Sequence, residues 1–271
     1  MPRHDPPALG AIPASAQLWR RLAAEFLGSA FLAALVIGSG IAAQRLSPGD
    51  TGLELLENAA ATAGGLFAII LMFGPVSGGH FNPVVSFADA AFGGLSWRDA
   101  TAYLAVQVAG CVAGAIAANV MFSLPAVSIS VKDRATPAHF LSEVIATLGL
   151  MLVIFALARS GRSRTTPAAV GAYIGAAYFF TSSASFANPA ITVGRVFSDT
   201  FAGIAPSSAP AFIGAQIVGG ILAVGLVKVL YPGITAAEAA DVSVPHDQPG
   251  HSGQPEPARN SAPAAGSQIH R

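Results

Sequence analysis

The sequence predicts an all-α membrane protein of six transmembrane helices and two half-helices, set out as an inverted repeat. Three observations carry this expectation. Charged residues make up 10% of the 271-residue chain, against about 25% in an ordinary soluble domain. Stretches such as 100–131 and 165–194 hold no Lys, Arg, Asp or Glu and exceed the roughly 20 apolar residues that a bilayer crossing needs. Two Asn-Pro pairs, Asn82-Pro83 and Asn188-Pro189, stand at corresponding places in the two halves.

The six spans fall at about 22–43, 55–73, 100–122, 139–158, 167–181 and 211–231, the fifth extending toward 182–185. Small residues such as Gly28, Gly65, Gly110, Gly114, Gly171 and Gly219 are dense in them and let membrane helices approach closely. Trp19, Trp97, Tyr103 and Tyr231 stand near segment ends, as an interfacial aromatic belt requires. Two further apolar segments, 76–92 and 184–205, are too short to span. Each begins with small and polar residues before its Asn-Pro. Asn is a good N-cap and Pro is well tolerated in the first helical turn, so each reads as a loop followed by a short helix.

Residues 1–18 and 232–271 are rich in Pro, Ala, Ser and Gly and are expected to be disordered tails. The first of them lacks the apolar core of a signal peptide. Between them lies one membrane unit, 19–231, with repeats of about 19–123 and 137–231. An even number of spans puts both termini on one face, which collects Arg3, Arg20, Arg21, Arg98, Arg159, Arg162, Arg164, Lys228, Arg259 and Arg271. The opposite loops hold Arg45, Lys132 and Arg134. The positive-inside rule places both termini in the cytoplasm, in a multi-pass protein of the inner (plasma) membrane with lipid as its partner.

Composition removes other classes. Fourteen Lys and Arg balance fourteen Asp and Glu, so the footprint of a nucleic-acid binder is missing. A single cysteine, Cys111, allows neither a disulfide framework nor a cysteine metal site. Three of the six histidines, His246, His251 and His270, lie in the polar tail. No metal or other cofactor is expected. Nothing suggests an enzyme either, since a Ser/His/Asp constellation, a phosphate loop and paired carboxylates are all absent from the sequence.

The repeat runs deeper than the Asn-Pro pairs. Glu25, Asn82 and Gln107 in the first half answer to Glu143, Asn188 and Gln216 in the second. Each half supplies three spans, an odd number, so the halves insert with opposite topology, an arrangement found in transport proteins.

At these residues the chain resembles the major intrinsic protein family, the aquaporins and aquaglyceroporins. Gly78-Gly79-His80-Phe81-Asn82-Pro83-Val84 is similar to the family's first Asn-Pro-Ala box, with Val84 where Ala is usual. Asn188-Pro189-Ala190 matches the second. The resemblance implies an aquaporin-like fold and a homotetramer with one pore per protomer. The family's filter arginine is replaced by Ile191; counting without gaps, the other filter positions fall on Thr62, Ala176 and Ser185. Such a ring is expected to be wide and weakly polar, and looks like that of the bacterial branch associated with arsenic resistance.

Most of these residues have a plainer alternative. Asn82 and Asn188 would offer amide donors at mid-membrane, or cap their own helices. His80 could sense pH or pin its loop through hydrogen bonds. Glu25 and Glu143 could relay protons or accept the loop N–H groups that lipid cannot satisfy. Asp89 and Arg195 each follow their Asn by seven residues, an acid on one half-helix where the other carries a base, and both are assigned to the vestibule. Arg195 would lie about 6 Å outward of Ile191 on α-helical geometry, as a vestibule charge or as the partner of Asp199.

The function these features imply is a passive channel for small uncharged solutes: glycerol-like polyols, undissociated metalloid acids such as arsenous acid, and water. A water-selective channel and a proton-coupled secondary transporter are the alternatives.

Overall fold

The computed structural model describes residues 14–233 and 235–240. The remainder of the two predicted tails, with His246, His251 and His270, lies outside the described residues. The first half comprises α1 (Ala14–Leu46), α2 (Thr51–Ser77), the half-helix α3 (Pro83–Phe92) and α4 (Trp97–Met121). The second comprises α5 (Pro137–Arg159), α6 (Thr166–Phe180), the half-helix α7 (Pro189–Arg195) and α8 (Ala209–Leu230), and a short α9 (Ala236–Ala240) follows. No strand occurs among the described residues.

Helix starts follow local chemistry. Asp50, Ser96 and Thr136 cap α2, α4 and α5 with side-chain oxygens on the amides of Leu53, Asp99 and His139, satisfying donors that a helix start leaves open. Packing repeats across the halves: α1 lies on α4 and α2, α5 lies on α8 and α6, and α2 meets α6. The crossings are close because Gly110 faces the Phe26 carbonyl of α1, and Gly219 the Val144 carbonyl of α5. A Cβ at either would drive into backbone.

Five helices, α1, α2, α4, α5 and α8, are long and apolar enough to cross a membrane. The expected fifth span is the exception. Its helix α6 has 15 residues, about 22 Å at 1.5 Å per residue. It stops at Phe180 because the chain beyond turns into an irregular loop, with Ala184 and Ser185 at positive φ (58° and 47°). The segment Ala236–Ala240, expected in a solvated tail, is helical, with Ala239 buried. It rests on α3 and α5, where Arg159 pairs with Glu238 at 3.0 Å. At the opposite end, Gly40 of α1 meets Phe201 and Ala202. There the 122–136 connection hydrogen-bonds along the segment after α7: Ser128 N donates to the Phe197 carbonyl, Ser130 N to that of Val196, and Ala205 N to that of Lys132.

Candidate functional site

The two Asn-Pro loops meet inside the bundle. Asn82 Nδ2 donates to the Ala187 carbonyl at 2.8 Å, and Asn188 Nδ2 donates to the Phe81 carbonyl at 2.7 Å. Each Asn also caps its own half-helix: Asn82 Oδ1 accepts from Val84 N, and Asn188 Oδ1 from Ala190 N and Ile191 N. Pore-facing and capping roles therefore coexist in one side chain. Phe81 and Ala187, each immediately before its Asn, have φ of 47° and 49°, a left-handed conformation that non-glycine residues rarely adopt. That conformation turns both carbonyls toward the opposite loop.

Buried carboxylates hold it in place. Glu25 accepts from Ser77 Oγ (2.6 Å), His80 N (3.0 Å), Phe81 N (2.8 Å) and Gln107 Nε2 (2.7 Å). Glu143 accepts from Phe186 N (2.9 Å), Ala187 N (2.8 Å) and Gln216 Nε2 (2.7 Å). Both glutamates are 0% exposed. Two further members of this frame escaped the sequence reading. Ser86 and Thr192, each four past its Asn, bond Gln107 (3.1 Å) and Gln216 (2.9 Å) respectively. The equal offset was the signal for them.

His80 Nδ1 lies 3.0 Å from Ser86 Oγ, and Nε2 lies 3.6 Å from Asp89. Asp89 is 1% exposed and stands behind His80. This corrects the expectation of a vestibule shared with Arg195: α3 and α7 run outward from the meeting point in opposite directions. Asp89 therefore sits toward the α9 end, and Arg195 toward the 122–136 connection.

A lumen of about 60 Å³, measured as room for water-sized molecules, runs between the loops. At roughly 10–15 Å³ per water, that is room for a few molecules. Its walls are helix stripes of period four: Thr62, Leu66 and Ile70 on α2, and Val170, Ile174 and Tyr178 on α6. Leu32 and Val36 on α1 face Leu150 and Ile154 on α5. The loops and half-helices add equivalent pairs: Gly79 with Ser185, His80 with Phe186, Asn82 with Asn188, and Val85 with Ile191. Pro83, Val84, Pro189 and Ala190 shape the half-helix starts without lining the lumen; Val84 packs on Gly220 of α8.

Three of the four expected filter positions, Thr62, Ser185 and Ile191, line this lumen. Ala176 does not; it is exposed on the outer face of α6. Two residues turn a helix by about 200°, so the α6 residue facing inward is Tyr178, whose hydroxyl lies 3.2 Å from that of Thr62. Arg195 is also in the wall rather than in an open vestibule. It is 3% exposed, its guanidinium lies 3.3 Å from the Phe186 ring centroid, and its Nε donates to the Ala202 carbonyl. Helical Cβ atoms tilt toward the helix N-terminus, so the long side chain returns along α7 the distance that the backbone had gained. Asp199 is not its partner: that carboxylate accepts from Ser130 Oγ and Val131 N.

Residues 13–187 match the sequence profile of the major intrinsic proteins. The chain belongs to the major intrinsic protein family. It is 46% identical over 211 residues to the aquaglyceroporin AqpS of Rhizobium meliloti, covering 78% of this chain and 90% of that one. It is 32% identical over 182 residues to the lens fiber major intrinsic protein of Homo sapiens, covering 61% and 64%. The fold matches the X-ray structure of the aquaglyceroporin from Plasmodium falciparum, with a TM-score of 0.62 at 21% identity over 79% of this chain and 98% of that one.

As a major intrinsic protein, the chain is a multi-pass membrane protein with the aquaporin fold. Two half-helix starts face each other across its lumen, each carrying roughly +0.5 of an elementary charge. The residues that line the lumen include no carboxylate to offset that potential. Asn82 and Asn188 line the lumen at the same level, and the helix stripes on either side of them are mostly apolar.

Proposed function

We propose that the protein is a passive channel through which small uncharged solutes cross the membrane: water, glycerol-sized polyols and undissociated metalloid acids such as arsenous acid. The observation that carries this reading is the lining of the lumen. Apolar stripes alternate with Asn82, Asn188 and the Thr62 and Tyr178 hydroxyls, a surface on which a polyol can exchange water for a few donors and slide its carbons along Leu66, Ile70 and Ile174. The name of the Rhizobium relative, an aquaglyceroporin, supports the polyol class. Glu25 and Glu143 spend their oxygens on loop amides and glutamines, which speaks for a channel rather than a proton-coupled transporter, since coupling needs ionisable groups along the path.

A second reading has an observation of its own. The large side chains of Tyr178, Phe186 and Arg195 line the lumen together with Ile191, bulk that favours water over larger solutes. Proteoliposome swelling with water, glycerol, urea and arsenous acid, with and without a proton gradient, decides among the three. Glycerol flux well above that of protein-free vesicles and indifferent to the gradient supports the polyol channel. Flux of water alone supports the second reading, and gradient-dependent flux the transporter.

The unit 19–231 would act as the channel, as a homotetramer in the inner (plasma) membrane, with both termini in the cytoplasm. The basic clusters at the α9 end, including Arg159, Arg162 and Arg164, support that orientation. Exposed apolar side chains such as Phe31, Leu71, Leu141 and Ile221 supply surface for lipid and for neighbouring protomers.

A further inference from the structure

Three cations share one stretch of backbone at the end of the lumen opposite α9. Lys132 Nζ donates to the Phe201 carbonyl at 2.9 Å. Arg134 donates through Nη2 to the same carbonyl at 3.3 Å and through Nε to that of Gly203 at 2.9 Å. Arg195 Nε donates to the carbonyl between them, Ala202. Both guanidiniums also lie against Phe186, 5.3 Å and 3.3 Å from the ring centroid.

Carboxylates stand near but are engaged elsewhere. Asp199 accepts from Ser130 and Val131, and Asp133 from Ser208 (2.7 Å) and Ala135 N (2.8 Å). Among the described residues none of the three cations forms an ion pair. Burying unpaired charge is costly, and neutral carbonyls offset only part of that cost. Partial loss of hydration at the exposed Lys132 first, and then the charges of Arg134 and Arg195, hold its amine below its usual range. The two terminal nitrogens of Arg195 have no hydrogen-bond partner in the protein, although the residue is 3% exposed and lines the lumen. Guanidinium donors without a hydrogen-bond acceptor thus stand in the lumen wall, stacked on the Phe186 ring.

We propose that Lys132, Arg134 and Arg195 form a binding site for a small oxyanion, a carboxylate or singly ionised oxyacid, at this mouth. Paired N–H donors of a guanidinium match two oxygens of such an anion. The anion stops there, because Ile191 and Phe186 beyond it offer no ionic partner for a charge stripped of water. Bound, it obstructs the mouth and slows neutral solutes. The effect on flux rests on the channel reading; the binding does not.

The experiment uses the full chain in two preparations, with inorganic phosphate at pH 6 as the probe and chloride at equal ionic strength as the control. In proteoliposomes, phosphate on both sides should lower glycerol flux severalfold. The slowing should vanish in Arg134→Gln and in Lys132→Ala, each compared with its own phosphate-free flux. In detergent, calorimetric titration should show phosphate binding that weakens about tenfold, or roughly 1.4 kcal/mol, in Arg134→Gln. Lys132 is exposed, so Lys132→Ala keeps the test open should Arg134→Gln fail to fold. Absence of calorimetric binding, or equal binding in the parent and both variants, overturns the site whatever the flux. Binding without any glycerol flux upholds the site and overturns the polyol-channel reading instead.

Discussion

The hydroxyls of Thr62 and Tyr178 lie 3.2 Å apart, joining α2 to α6 across the lumen wall. The wall is therefore tied between halves at a place where a ring of small residues was expected. Both side chains are buried in the bundle, at 1% and 3% exposure, and both line the lumen, so the bond bears on how far the two helices stand apart there.

Tyr178→Ala should open the lumen beside Ile191 and raise glycerol flux relative to water flux. Ala176→His, on the outer face of α6, should leave that ratio where it was. Swelling rates in the two solutes measure it. A ratio that moves in Ala176→His and not in Tyr178→Ala would return the filter position to Ala176.

Asn188→Asp keeps the cap on Ala190 and removes the donor to the Phe81 carbonyl. It also places an anionic oxygen where two positive helix ends meet. Cation conductance should appear in planar bilayers, and neutral-solute flux should fall. A variant with the parent's flux and no cation current would remove Asn188 from the path.

Glu143→Gln turns one of two accepting oxygens into a donor pointed at amides that already donate. An unsatisfied buried donor costs about 1–3 kcal/mol, so the melting temperature should drop clearly. The response of the surviving flux to a proton gradient should not change. If instead stability holds and a gradient response disappears, Glu143 carries protons.

The last prediction concerns pH. The Thr235 amide first, and Arg159 to a smaller degree, hold Glu238 below its ordinary value of 4.5. A carboxylate with a lowered native pKa stabilises the docked state above its unfolded value, and that stabilisation is lost as pH falls through the native one. The attachment of α9 should therefore hold at neutral pH and loosen below about pH 4.5. Glu238→Gln should be loose already at pH 7. Amide exchange of residues 236–240 follows both; protection unchanged from pH 7 to pH 3 would count against the contact.

Much of this protein was legible in the chain. Long uncharged runs specify spans because lipid satisfies no charge and no open backbone group. Asn82-Pro83 and Asn188-Pro189 specify half-helix starts because an Asn cap and a proline at the first turn act within three residues of themselves. The corresponding places of Glu25 and Glu143, and of Gln107 and Gln216, in the two halves marked the frame that grips the loops. These features depend on neighbours close in sequence or on a comparison of the two halves, so no coordinates were needed to find them.

What the tertiary structure alone decided was the direction in which side chains face. Counting back to Ala176 assumes a fixed loop length, yet the early end of α6 and the turn through Ala184 and Ser185 place Tyr178 inward instead. A two-residue slip reverses a helix face, and sequence spacing across an irregular loop does not carry that phase. Asp89 and Arg195 share an offset but not a mouth, because the half-helices that carry them point apart. Arg195 reaches the lumen because its side chain leans back along α7, and its partners come from Phe186 and Ala202, which only folding brings beside it.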